Sequence, residues 1–110
     1  NQYHLAALQK RDGHAFKGRI FVGRTRQSDI TIEEASISKL HAYFEVQSDQ
    51  YLLVDCGSTN GTYINGKRLT SNMVHTLEFG MQLTFGSQPV EFASAQRVRL
   101  LLMANIIAKS

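Results

Sequence analysis

Short apolar runs recur along the chain, each closed by a polar or glycine-containing segment. Residues 20–22, 30–32, 41–46, 51–55, 62–64, 75–79, 82–85 and 90–92 read as strands. They follow one another roughly every ten residues, the spacing of an all-β sandwich rather than of an α/β fold. Alternation is cleanest over residues 41–46, with Ala42, Phe44 and Val46 on one side and Tyr43 and Glu45 on the other. Residues 3–9, carrying Tyr3, Leu5 and Leu8, read as a first strand, and Asp12-Gly13 as the hairpin turn after it. Asn60-Gly61 and Asn65-Gly66 are further turn dipeptides, since both residue types tolerate positive φ. The sole proline, Pro89, opens the last strand, where its missing N–H does least harm.

The pattern changes at Ser94. A cap-forming Ser is followed by strong helix formers, and Val98, Leu100, Leu101, Leu102, Met103, Ile106 and Ile107 surround nearly the whole circumference of such a helix. A helix apolar on all sides needs cover on more than one. The expected organisation is a β body over residues 1–93 and a helix over residues 94–110, docked on the body or leading to a further segment.

Composition narrows the function classes. The chain has 110 residues, 43% hydrophobic and 19% charged, as expected of one ordinary globular domain. No apolar run approaches the ~20 residues that span a bilayer. The chain starts at Asn1 with neither a Met nor a charged-then-apolar leader, which reads as a processed product or an excised piece. A lone cysteine, Cys56, cannot form an internal disulfide and fits a reducing, cytoplasmic setting. The net charge of +3 favours anionic partners, but without a dense Lys/Arg block it does not point to nucleic acid.

Three segments at strand–loop junctions carry the candidate chemistry. They are Gly23-Arg24, Ser38-Lys39-Leu40-His41 and Ser58-Thr59-Asn60-Gly61-Thr62. In a sandwich such junctions can cluster at one end. Together they offer a guanidinium, an ammonium, hydroxyls, an amide and backbone N–H groups, with no metal-ligand grouping. That donor-rich set suits a phosphate group, whose charge of about −1.5 to −2 and acceptor oxygens match Arg in bidentate geometry. Taken singly, each feature has a plainer reading. An Arg after a strand is usually solvated, an Asn-Gly pair is usually a hairpin turn, and Cys56 is a small buried hydrophobe. His4, His14 and His75 read as surface or edge residues.

Taken in order, Gly-Arg, Ser-x-x-His and Asn-Gly, with the run Asp55-Cys56-Gly57-Ser58-Thr59-Asn60-Gly61-Thr62-Tyr63-Ile64-Asn65-Gly66, resemble the forkhead-associated (FHA) domain, a phosphothreonine-peptide-binding module. The resemblance extends over residues 3–92. It implies an all-β, FHA-like β-sandwich of about eleven strands (SMAD/FHA type) with its binding loops at one end. It also implies that Arg24 makes the main bonds to the phosphate and that Gly23 lets the backbone turn so that Arg24 points at the site. Ser38 would donate its hydroxyl, and Lys39 would add a charge or a backbone N–H. Thr59 would contact the phosphothreonine, and Asn60 would hold the peptide main chain. His41 and Gly61 would be structural, His41 by hydrogen-bonding between loops and Gly61 by supplying a turn conformation. Leu40 departs from the family pattern, which commonly has a basic or polar residue there.

The function expected is therefore phosphothreonine-dependent protein–protein interaction in signalling, with a phosphothreonine protein or peptide as partner. No catalysis, cofactor, metal, nucleic acid or membrane is expected. One alternative is a phosphate-independent assembly domain that self-associates, or contacts a further domain, through the C-terminal helix. Another is a hydrolase built from Ser38, His41 and Asp55, but no nucleophile elbow or oxyanion loop accompanies those residues.

Overall fold

A computed structural model describes residues 18–94 and residue 96. Within them the strands run in the order β1 (Arg19–Gly23), β2 (Ile30–Thr31), β3 (Ala42–Gln47), β4 (Gln50–Asp55), β5 (Thr62–Ile64), β6 (Lys67–Arg68), β7 (His75–Leu77), β8 (Gln82–Phe85) and β9 (Gln88–Glu91). A five-stranded sheet has the order β2-β1-β3-β4-β7, and a four-stranded sheet the order β6-β5-β8-β9. All pairings are antiparallel except β1 with β2, which run parallel across the short connection at residues 24–29. The all-β expectation holds. The proposed strand at residues 3–9 and its hairpin lie outside the described residues, as does the C-terminal helix apart from Ser94 and Gln96.

The two sheets meet over an apolar interior. Ile20, Val22, Phe44 and Leu53 face it from the larger sheet and Leu83 and Phe85 from the smaller, with Ile37, Leu69 and Phe92 contributed by the connections. Phe44 and Phe85 bridge the sheets edge to face, ring centroids 6.1 Å apart. Alternation in β3 is as the sequence indicates as far as Phe44, but Val46 at the hairpin end is 37% exposed. In β4 four consecutive residues, Leu52, Leu53, Val54 and Asp55, are buried, so this strand is covered on both faces.

Turn chemistry sets the registers. Ser48 and Asp49 both take positive φ between β3 and β4, as do Asn65 and Gly66 between β5 and β6. Two boundaries differ from the sequence expectation by two residues, the others by one at most. β7 stops at Leu77, because the chain turns at Glu78–Met81, where the Met81 N–H bonds to the Glu78 carbonyl and Gly80 has φ +97°. Phe79 is consequently 56% exposed. Pro89 lies inside β9 rather than opening the strand, which is tolerated because β9 is an edge of its sheet. His75 lies on β7, an edge strand of the larger sheet, and is half-buried.

Registration brings the candidate segments together. Val22 pairs with Ala42 and Ala42 with Asp55, so β1 ends, β3 begins and β4 ends at one level. In the other sheet Thr62 pairs with Phe85, so β5 begins where β8 ends. Contacts between the sheets place these two levels at the same end of the sandwich.

Candidate functional site

Gly23 closes β1 and the Arg24 N–H donates to the Ser38 carbonyl at 3.1 Å, laying the first segment against the second. Gly23 has no left-handed backbone. Its role is steric, since a Cβ there would collide with the Lys39 carbonyl and the Ser28 hydroxyl. The close approach of two backbones thus requires glycine here. Arg24 is half-buried and Lys39 is exposed, and neither head group has a partner among the described residues.

His41 joins the second segment to the third. Its ring is fully buried, edge-on to Phe85 at 5.8 Å. Nδ1 accepts the Ser38 N–H at 3.0 Å, which leaves the proton on Nε2 to donate to the Gly61 carbonyl at 2.9 Å. The Gly61 carbonyl also accepts the Gly86 N–H at 2.8 Å, so both of its lone pairs are used and three loops are held at one atom. Gly61 itself has φ +88°, and a Cβ on it would meet the Arg68 guanidinium.

Asp55 does the corresponding work at the base of the third segment. Its carboxylate accepts the Ser58, Thr62 and Ser71 hydroxyls at 2.5, 2.7 and 2.7 Å, and the Gly57 and Ser58 N–H groups at 2.9 and 3.1 Å. Ser58 Oγ in turn accepts the Gly61 N–H at 3.1 Å. Burial acts to raise the Asp55 pKa, but the Ser58, Thr62 and Ser71 hydroxyls and the Ser58 N–H outweigh it, and the carboxyl sits below its ordinary range. The neighbouring Cys56 thiol is pushed up by burial and by the Asp55 charge, against a smaller pull from Arg19, so it is no activated nucleophile.

On this frame the candidate binding groups converge. Ser38 Oγ accepts the Thr59 N–H at 3.1 Å, and Asn60 Nδ2 donates to the Ser36 carbonyl at 3.0 Å. The segments that carry Arg24, Ser38 with Lys39, and Thr59 with Asn60 therefore adjoin one another, Arg24 through its backbone N–H on the Ser38 carbonyl. Among the described residues, one amide N–H and Oδ1 of Asn60 have no partner. A rim beyond Asn60 was not legible in the sequence. There Glu34 Oε1 accepts the Ser36 hydroxyl at 2.8 Å and the Ser87 hydroxyl, while the Ser87 N–H donates to Ser36 Oγ at 3.0 Å.

The hydrolase arrangement is not assembled. Both His41 nitrogens face backbone groups rather than the Ser38 hydroxyl, and Asp55 binds hydroxyls and N–H groups rather than His41. Among the described residues no group of three or more His, Cys, Asp and Glu could hold a metal ion. No helix among them is long and apolar enough to cross a membrane.

The FHA domain profile matches residues 20–86, more than half of the chain. The chain belongs to the FHA domain family. It is 33% identical over 73 residues to the oxoglutarate dehydrogenase inhibitor of Corynebacterium glutamicum, covering 63% of this chain and 51% of that protein. It spans 36–51% of the length of the three corynebacterial inhibitors it matches. Among solved structures, the MEK1 FHA domain in complex with a HOP1 phosphothreonine peptide superposes with a TM-score of 0.65 at 26% identity, covering 74% of this chain and 84% of that one. An FHA domain of a hypothetical protein from Arabidopsis thaliana gives 0.63 at 32% identity, covering 71% and 70%.

The Asp55 network makes a pH prediction. A carboxyl whose folded pKa is lowered contributes stability above its unfolded pKa of about 3.9, and that stability is lost as pH falls through the folded value. Asp55→Asn places an amide N–H among donors and removes the charge. The variant is expected to lose about 2–4 kcal/mol at neutral pH, and its stability should fall less steeply than wild type below about pH 4. Urea titrations at pH 7, 4 and 3 check both; parallel losses on acidification would contradict the assignment.

Proposed function

We propose that this FHA domain is a phosphothreonine-dependent interaction module that recruits a kinase-phosphorylated protein and has no catalysis of its own. The observation that carries the reading is the set of segments at the end of the sandwich, where Ser38 and Thr59 are bonded together and the head groups of the adjoining Arg24 and Lys39 have no partner among the described residues. The MEK1 FHA domain, similar to this chain in fold and sequence, has been solved with a phosphothreonine peptide. The corynebacterial relatives are named as inhibitors of an enzyme, which suits a binding role.

In this reading the Arg24 guanidinium binds two phosphate oxygens and the Ser38 hydroxyl donates to a third, since its oxygen already accepts from Thr59. Lys39 adds charge. Thr59 contacts the phosphothreonine, and Asn60 uses its remaining amide groups on the peptide main chain. Gly23, His41 and Gly61 hold these groups in place without touching the ligand. Each charge-assisted bond contributes roughly 1.5–3 kcal/mol net, so a few of them give a reversible affinity that a kinase and phosphatase can set. The reading places the module in the cytoplasm with its kinase.

For the segments outside the described residues we keep the reading of a further N-terminal strand, bringing the sandwich toward about eleven, and a helix over residues 94–110. A helix docked on the body predicts a monomer in light scattering at every concentration. A concentration-dependent dimer would favour the assembly alternative.

The test of the site is fluorescence anisotropy with one degenerate peptide library in phosphothreonine, phosphoserine, phosphotyrosine and unmodified forms. Binding is expected for the phosphothreonine form alone. Arg24→Ala and Ser38→Ala should each weaken it by about tenfold or more, consistent with the loss of one charge-assisted interaction, with unchanged unfolding midpoints. Full affinity retained in both variants would remove the site.

A further inference from the structure

Glu34 stands apart from the cationic character of the rest of the site. Its carboxylate lies at the rim beyond Asn60, linked to it through Ser36, whose carbonyl accepts the Asn60 amide and whose hydroxyl donates to Glu34. Ser87, on the turn between β8 and β9, donates its hydroxyl to the same carboxylate oxygen beside Ser36, the two Oγ atoms lying 2.9 Å apart, with the Ser87 N–H on Ser36 Oγ completing the clamp. Gly86 lets this turn approach, since a Cβ there would run into Ser36. Both hydroxyl bonds to the carboxylate fall on Oε1. Oε2 has no partner among the described residues, and Glu34 forms no ion pair there.

A carboxylate that is fixed in place, accessible and unpaired has lost its rotamer entropy before any ligand arrives, so a cation binding it meets less of the ordering cost that weakens surface ion pairs. The Ser87 and Ser36 hydroxyls also keep it ionised. Resting on the phosphothreonine reading of the cluster, we propose that Glu34 is a specificity-determining residue that selects phosphopeptides with a Lys or Arg side chain flanking the phosphothreonine, on the stretch of peptide that leaves the phosphate past Asn60. The domain then reads a pair of charges of opposite sign, the phosphate at Arg24 and Ser38 and a cation at Glu34. A peptide acidic throughout satisfies the first and is repelled by the second. This discrimination is built by placing a like charge against the wrong ligand as much as by attracting the right one.

The alternative role, a tie between two loops with no contact to ligand, predicts a different response. Glu34→Gln keeps the side-chain carbonyl that accepts from Ser36 and Ser87 and removes only the charge. Loss of a tie would weaken all phosphopeptides together, whereas loss of a selecting charge reorders them. The experiment uses the full 110-residue chain and a degenerate phosphothreonine library, followed by matched peptides carrying Lys or Glu at the flanking position the library selects. Wild type is expected to favour Lys over Glu about fivefold, within the range of a surface ion pair, and less at high salt. Glu34→Gln should bring the two peptides close to equal while keeping discrimination against the unphosphorylated form, and Glu34→Lys should favour the Glu peptide. A wild type without basic preference, or a preference unchanged in Glu34→Gln, overturns the proposal and leaves the phosphothreonine reading standing. Failure of wild type to bind any phosphothreonine peptide overturns both.

Discussion

The structure at the binding end depends on one buried carboxylate. Asp55 ends β4 in the larger sheet, and through its five hydrogen bonds it holds the start of β5 in the smaller sheet, the loop between them, and Ser71 beyond β6. A buried charge is tolerable only when its lone pairs are satisfied, and here donors approach both oxygens. The arrangement also explains why the loop at residues 56–61 can be glycine-containing and polar yet fixed. Backbone N–H groups that would otherwise need water are taken up internally, those of Gly57 and Ser58 by Asp55, that of Gly61 by Ser58, that of Cys56 by the His41 carbonyl and that of Thr59 by Ser38.

His41 completes the frame from the other side. Asp55 positions the loop that carries Thr59 and Asn60, and the imidazole fixes the spacing between that loop and Ser38 by bonding one backbone group of each. The side chains proposed to read the ligand are left with few internal duties. Ser38 accepts one bond, Asn60 donates one, and Arg24 and Lys39 have none among the described residues. Rigid support beneath lightly committed donors is what preorganisation means in physical terms, because the ordering cost is met during folding rather than on binding. The Glu34 clamp repeats the device at smaller scale, with two serines in place of a buried network.

Much of this was legible in the chain itself. Period-two alternation and regularly spaced turns give most of the described strands, and the ordered Gly-Arg, Ser-x-x-His and Asn-Gly signals give the family. What escaped the sequence are bonds between residues far apart along it. Asp55 reads as an ordinary strand end until Ser71 arrives from sixteen residues away. Glu34 reads as a solvated loop acid until β8 and β9 deliver Ser87 from fifty-three residues away. One signal could have been read locally, since hydroxyls three and seven residues after an Asp, at Ser58 and Thr62, can fold back on its carboxylate. Gly23 shows the opposite failure. The residue was recognised but its steric reason was not, because a collision with Lys39 and Ser28 is invisible without the tertiary fold.

The central claim is that a fixed frame of Asp55 and His41 presents the phosphate-reading groups without rearranging. The most direct measurement is an NMR titration of the ¹⁵N-labelled chain with a phosphothreonine peptide, following backbone amides and the His41 ring nitrogens together. The account predicts the largest amide shifts at Arg24, Ser38, Thr59 and Asn60, with His41 keeping its proton on Nε2 from free to saturated protein. Shifts centred away from this cluster, or a change of His41 tautomer on binding, would contradict it.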